Sequence, residues 1–182
     1  MKVRRVVTGH SPEGKAIFAS DQQVDPIVLE RLQRNQFHRL WGGDAVSVFP
    51  DDGSPPVNPR YFPPIGGFRF AMFTVPPSST ALPEGVAPDD VAAEIEAKLP
   101  GLAEHMEPDA PGMHTTDTID FEYVISGRVV LELGDGVTVE LGPGDTVVQN
   151  GTRHAWRNPF SEPCRMVVFI VGAERRAHPG VG

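Results

Sequence analysis

At 182 residues, the chain can bury one sizeable core and still spare residues for an appended arm. Its formal net charge of −8 and pI near 5.2 disfavour a nucleic-acid backbone as partner, because phosphate binding draws its energy from clustered Lys and Arg. One cysteine, Cys164, excludes an intramolecular disulfide framework and a multi-cysteine zinc site, and no stretch approaches the roughly 18 apolar residues of a membrane span.

The N-terminus, MKVRRVVTGHSPEGK, is basic but has no apolar run behind it, so it does not read as a secretory signal; the expectation is a cytoplasmic protein. The 19 glycines and 19 prolines punctuate the chain at short intervals, the pattern of an all-β protein with many turns. Residues 3 to 7 and 15 to 19 predict short strands around HSPEG, with apolar patches at Leu40-Trp41 and from Val46 to Phe49. DDGSPPVNPRYFPPIGG is too rich in proline for regular structure and reads as a wrapping arm. FRFAMFTV then returns to a strand pattern, stopped by Pro76-Pro77.

One helix is predicted over about 88–99. Pro88 and the two aspartates suit its start, and Lys98 falls in its last turn before Pro100-Gly101. Val91, Ile95 and Leu99 give it one narrow apolar stripe, so it packs outside the sheet and carries no chemistry. Beyond residue 119 the signal is nearly pure β. In GRVVLELGDGVTVELGPGD, Leu131 and Leu133 face Val137, Val139 and Leu141 across Gly134-Asp135-Gly136, a hairpin. TVVQ, HAWRN and CRMVVFIV add further strands, for a sandwich or closed barrel of about ten. Cys164 opens the last apolar run and reads as a buried, inert thiol.

The chemistry concentrates in GMHTTDTIDFEYVISG. On an unbroken strand, His114, Thr116, Thr118, Asp120 and Glu122 share one face, and Ile119, Phe121, Tyr123 and Ile125 the other. Taken alone, such a threonine-rich row reads as solvent-facing strand, with a row facing a cavity as the alternative. The later GPGDTVVQNGTRHAWRN places His154 and Asn158 after a tight turn, with Trp156 on the parity of His154. Asp145 reads as a turn residue, and His10 and His105 as loop residues.

Together these two stretches resemble the paired motifs of the cupin superfamily. Gly127 fits the glycine that closes the first motif, Asp120 the glutamate position, and His114 and Thr116 the two histidine positions. Gly144-Asp145, Gly151, His154 and Asn158 match the second motif, with Gln149 in place of the usual proline and a spacer one residue short. The resemblance covers about residues 112 to 171. It implies an all-β cupin double-stranded β-helix, or jelly-roll barrel, with an N-terminal strand arm and one peripheral helix. The expected organisation is strands and arm over 1–67, the barrel over 68–175 and a tail over 176–182. RRVVTGH, HTTDTID and GTRHAWRN further resemble a subgroup of small single-domain cupins, some of which accompany polyketide or aromatic-compound pathways.

The resemblance also implies one divalent metal ion held by His114, Asp120 and His154, with Thr116 replacing the fourth ligand. Two imidazoles and one carboxylate form the facial set of non-haem Fe(II) oxygenases, so Fe(II) is favoured, although the same set accepts Mn, Ni, Co or Zn. Asp120 is one methylene shorter than glutamate, so Glu122 stands as an alternative ligand or as the catalytic acid/base. Thr116 and Trp156 are candidate walls of the substrate pocket. The first expectation is a dioxygenase or related oxidoreductase acting on an aromatic or polyketide-like small molecule. A metal-dependent lyase or isomerase comes next, then a metal-free cupin that only binds a small molecule. A regulator's sensor domain ranks last, for want of a basic helix-turn-helix segment. No nucleic acid or membrane is expected as partner. The long proline-rich arm implies a homodimer in which it covers sheet edges of a second copy.

Overall fold

Alternating short-range apolar patterns, broken by glycine and proline, give eleven strands and one α-helix among the residues described by the computed structural model, which are 2–81 and 83–176. In chain order the strands are Val3–His10 (β1), Ala16–Val24 (β2), Ile27–Leu29 (β3), Asn35–Gly43 (β4) and Phe68–Val75 (β5). After the helix Pro88–Lys98 (α1) come Thr118–Ser126 (β6), Val129–Leu133 (β7), Thr138–Leu141 (β8), Thr146–Gln149 (β9), His154–Arg157 (β10) and Cys164–Gly172 (β11). Every paired strand runs antiparallel. Most of the tail expected at 176–182 lies outside the described residues.

A six-stranded sheet, ordered β3-β4-β5-β11-β6-β9, faces a three-stranded sheet, β10-β7-β8. Val124, Val129, Leu131, Leu141, Cys164 and Met166 fill the space between them. Each such buried aliphatic side chain contributes about 1.5–3 kcal/mol. A second cluster joins Leu29, Ala71, Val168 and Ile170 of the large sheet to Ile95 of α1 and to Leu99, which caps its C-terminus. The helix therefore packs through its predicted stripe, but not outside the sheet as expected: Val168 and Ile170 pair in register with Glu122 and Asp120, so it covers the face that carries these acids. Its Glu94 is also buried, accepting the Glu30 and Arg31 N–H groups at 2.9 and 2.8 Å.

The hairpin predicted around Gly134 is present, with Leu131 opposite Val139 and Val129 opposite Leu141. Cys164 is fully buried, and burial pushes its thiol up to about 11. Leu40 and Trp41 are the end of the nine-residue β4, so residues 1–67 supply two strands to the main sheet as well as the separate hairpin β1–β2. The proline-rich arm returns to the same chain: Tyr61 N–H donates to the Pro100 carbonyl at 2.7 Å, and Ile65 bridges to Gly172.

Candidate functional site

β6 begins at Thr118, so the row that opens with His114 is broken before it. From there the alternation is strict, and it places the polar residues inside. Asp120 and Glu122 are each 5% exposed, while Phe121 and Tyr123, which alternate with them, are 47% and 45% exposed. Val124, on the same face as the carboxylates, belongs to the inter-sheet core, so this face looks into the barrel. On the opposite sheet, Trp156 packs against that core and lies 6.5 Å from Phe73, which sets the inward face of β10 and with it His154.

His114 and His154 meet across an isolated antiparallel bridge. Their rings lie 4.2 Å apart, centre to centre, and Trp156 meets the His154 ring edge-on at 6.1 Å. Nδ1 of His114 lies 3.0 Å from the Gly112 carbonyl, and Nδ1 of His154 lies 2.9 Å from that of Thr152. A carbonyl only accepts, so each Nδ1 carries the proton and each Nε2 keeps its lone pair. Burial, then its neighbour's charge, lowers His154 to about 4; burial likewise lowers His114, with a further push from His105. Both rings are therefore neutral at neutral pH, the state in which imidazole binds a metal ion.

The carboxylates are held differently. Thr116 is buried and its hydroxyl lies 2.8 Å from that of Thr118, which in turn hydrogen-bonds Asp120. Asp120 Oδ1 and Glu122 Oε2 are buried without a hydrogen-bond partner, as is Nε2 of Gln149, the residue opposite Asp120 on β9. Burial raises Asp120 to about 6, against the pull of Thr118, and burial and then the Asp120 charge raise Glu122 well above the usual carboxyl range. Burial thus pushes both carboxyls toward the protonated form. Donors of this kind suit a divalent cation: two free imidazole nitrogens and an ionisable carboxylate with an orphaned oxygen. Among the described residues, however, no three His, Cys, Asp or Glu side chains are gathered closely enough to hold one.

Residues 103–170 match the family described as "Cupin domain". Those residues are a cupin domain. Over 92% of the chain, this cupin is 29% identical to the "Cupin-domain-containing oxidoreductase srdB" of Neurospora crassa, spanning 72% of that protein. Over 60 residues it is 47% identical to "Oryzines biosynthesis cluster protein J" of Aspergillus oryzae, a match covering 33% of this chain and about a third (34%) of the relative's length. Among solved structures, a "Cupin 2 conserved barrel domain protein" from Salinispora arenicola aligns with 79% of the chain and 80% of its own, at 18% identity and a TM-score of 0.41.

The remaining motif positions of the cupin serve structure. Asn158 is buried and pins its turn, donating to the Val75 and Glu162 carbonyls at 2.8 Å each and accepting the Phe160 N–H at 3.0 Å. Asp145 accepts the Gly142 N–H at 2.8 Å, as a turn residue does. His105, read from sequence as a loop residue, lies near the site: its Nδ1 is 3.0 Å from the Thr115 carbonyl and its ring packs edge-on against Phe62 at 4.8 Å. Gln149 was visible in sequence only as a departure from proline. Tyr61 was hidden in the arm, yet its buried phenol is held well above the usual range by burial and then by the Asp120 and Glu122 charges, with Arg39 opposing.

Proposed function

We propose that this cupin domain is a metal-dependent enzyme of small-molecule metabolism, an oxidoreductase of the dioxygenase type acting on an aromatic or polyketide-like compound. One divalent ion, Fe(II) first among Mn, Ni, Co and Zn, is assigned to His114 and His154, with Asp120 as the third donor. The observation that carries this reading is the histidine pair, whose Nδ1 atoms are committed to backbone carbonyls so that both Nε2 lone pairs stay free inside the barrel. The oxidoreductase name of the Neurospora relative and the biosynthesis-cluster name of the Aspergillus relative support the class of reaction.

Such an ion supplies Lewis acidity, and oxygen activation if it is iron. The chain's own residues do the rest. Glu122, facing inward and pushed by burial toward its protonated form, is the proton donor to a developing oxyanion, and Asp120 two residues along the same face stabilises positive charge. Trp156 and Thr116 line the interior and restrict water. The same acid pair would serve a metal-dependent lyase or isomerase. A second reading, a cupin that binds a small molecule without metal, is favoured by the absence of three gathered donors among the described residues.

Elemental analysis of protein purified without chelator, followed by anaerobic titration with Fe(II), Mn, Ni, Co and Zn, tests the choice. About one equivalent bound, and lost in His154→Ala, supports the enzyme. Less than about a tenth of an equivalent, with no uptake on titration, leaves the metal-free binder.

A further inference from the structure

Among the described residues, two of the buried polar atoms without a partner belong to the acids of β6, and a third is Nε2 of Gln149 at the end of β9. Gln149 is 4% exposed. Val147, two residues earlier on the same face, packs against the inter-sheet cluster, so the amide points into the barrel beside Asp120, its partner in register. Although the two side chains stand opposite, neither Nε2 nor Asp120 Oδ1 is satisfied by the other. The backbone holds them there. Gly151 has a φ of +59°, and a Cβ on it would lie 2.8 Å from the Thr116 carbonyl oxygen. Arg175 Nη2 donates to the Thr116 and Gly151 carbonyls at 2.7 and 2.9 Å, pressing the turn after Gln149 onto the segment that leads into β6. A buried amide N–H left unpaired carries its full desolvation penalty, and folded chains keep such a group where a ligand or another group satisfies it.

These atoms lie where the two apolar clusters meet. On β11, Met166 belongs to the inter-sheet cluster and Val168 to the helix cluster, and their partners on β6 are Val124 and Glu122. Phe73, opposite Met166 on β5, packs against both clusters, and Trp156, 6.5 Å from it, packs against the inter-sheet one. Neither ring is fully buried, so the apolar filling is incomplete at this junction.

We propose that Gln149 is the residue by which this barrel selects a hydroxyl-bearing aromatic ligand: its Nε2 donates to the hydroxyl oxygen, an unpartnered carboxyl oxygen of Glu122 or Asp120 accepts the hydroxyl proton, and the ring lies against Phe73 and Trp156. A hydroxyl carries one donor and two acceptor lone pairs, so it meets both kinds of unpaired atom at once. A ketone or an ether lacks the donor, and a carboxylate would set like charge against the acids. With an ion on Asp120, Glu122 Oε2 remains to accept. The proline usual at this position of the motif has no side-chain donor, so the chain gains its donor through that departure. The inference rests on the small-molecule reading of the barrel and adds the group by which the ligand is held; it needs no metal.

Proton–nitrogen NMR titration of the chelator-treated full chain with phenol tests it, with toluene and Gln149→Met as further arms. Phenol is expected to bind one-to-one and to shift the Gln149 side-chain amide signals, which Gln149→Met identifies by their loss. It should bind at least about tenfold more tightly than toluene, which has the same shape but no hydroxyl. An apolar pocket alone prefers toluene. Gln149→Met, as long and unbranched but without the amide, should lose at least about tenfold in phenol affinity. It should also unfold at a denaturant midpoint no lower than the parent's, because an unpartnered amide stabilises nothing. No phenol binding, toluene binding as tightly, or equal phenol affinity in Gln149→Met overturns the proposal. A lower midpoint for Gln149→Met also overturns it, by showing that the amide has a partner within the fold. Metal uptake is measured apart: its failure sinks the metal reading and leaves the phenol result standing.

Discussion

His114 and His154 are locked to each other through their backbones: each N–H donates to the other's carbonyl, at 2.9 and 3.0 Å, and the rings sit 4.2 Å apart. Two residues forty positions apart in sequence are thereby presented as one unit. Because the backbone makes the pairing, either ring can be removed without breaking the bridge. His114→Ala and His154→Ala are expected to remain folded by circular dichroism. Each should weaken metal binding by more than the roughly 10–100-fold that the loss of a metal ligand's outer partner costs. Competition titration with a chromophoric chelator measures the change.

The buried pair and the buried acids make opposite demands on pH. In metal-free protein, His154 titrates near 4 rather than its ordinary 6.5. The unfolded chain therefore takes up the proton first, and stability that is full above about pH 6.5 is lost as pH falls toward 4, by on the order of 3 kcal/mol. Asp120, raised to about 6 from 3.8, acts in the other direction: stability is lost as pH rises through that window. Asp120→Asn should therefore be more stable than the parent at pH 8, by on the order of 2–3 kcal/mol, and nearly equal to it at pH 4. Chemical denaturation of chelator-treated protein from pH 4 to 8 checks both signs.

Glu122 is the group placed to give up a proton inside the barrel. Glu122→Gln keeps its size and a hydrogen-bonding end but cannot transfer a proton. With a turnover assay in hand, kcat should fall by about 10²–10⁴, while metal stoichiometry stays at the parental value. Loss of metal together with activity would instead make Glu122 a ligand.

The arm is clamped to the barrel at Gly172, where a Cβ would sit 1.9 Å from the Pro64 carbonyl oxygen. No side-chain rotation relieves a clash between two backbones. Gly172→Ala is expected to lift the arm near Ile65 and to destabilise the protein by at least about 2 kcal/mol. Faster hydrogen exchange across residues 58–67 than across β7 and β8 should report it.

The outer face of the six-stranded sheet carries an apolar row that crosses five strands. Trp41, Phe70, Phe169, Phe121 and Val148 are successive partners in register, and the last four are 40–55% exposed. Among the described residues the hairpin β1–β2 pairs with no other strand, and it leaves Phe18 80% exposed, although two-stranded hairpins are marginal alone. We propose that a second copy of the chain covers both. Sedimentation velocity at micromolar concentration is expected to give a dimer, and Phe121→Lys with Phe169→Glu a monomer. A monomeric parent chain would count against it.

Much of this was legible in the residues. Turn residues at short intervals and strict alternation in IDFEYVIS and VVLEL announced the β architecture, and Pro88 with the Val91, Ile95 and Leu99 stripe marked α1. The spacing of Gly127, Asp120 and His114, followed by His154 and Asn158, identified the barrel's two motifs. Strand β4 was harder to see, because its apolar Leu40-Trp41 end is separated from Phe37 by His38 and Arg39.

Local periodicity tells which residues share a face of β6, and the sequence by itself determined that Asp120 and Glu122 stand together. It did not tell which face was inside. The larger apolar set, Phe121, Tyr123 and Ile125, turned outward, because the opposing sheet and not the strand decides where the core lies. Only the tertiary structure decided that the polar row is buried, that its acids are desolvated, and that His114 meets His154. Tyr61 and Arg39 belong to the same lesson. Contacts between the arm and the sheet join residues with no common period, so no pattern in the chain announces them.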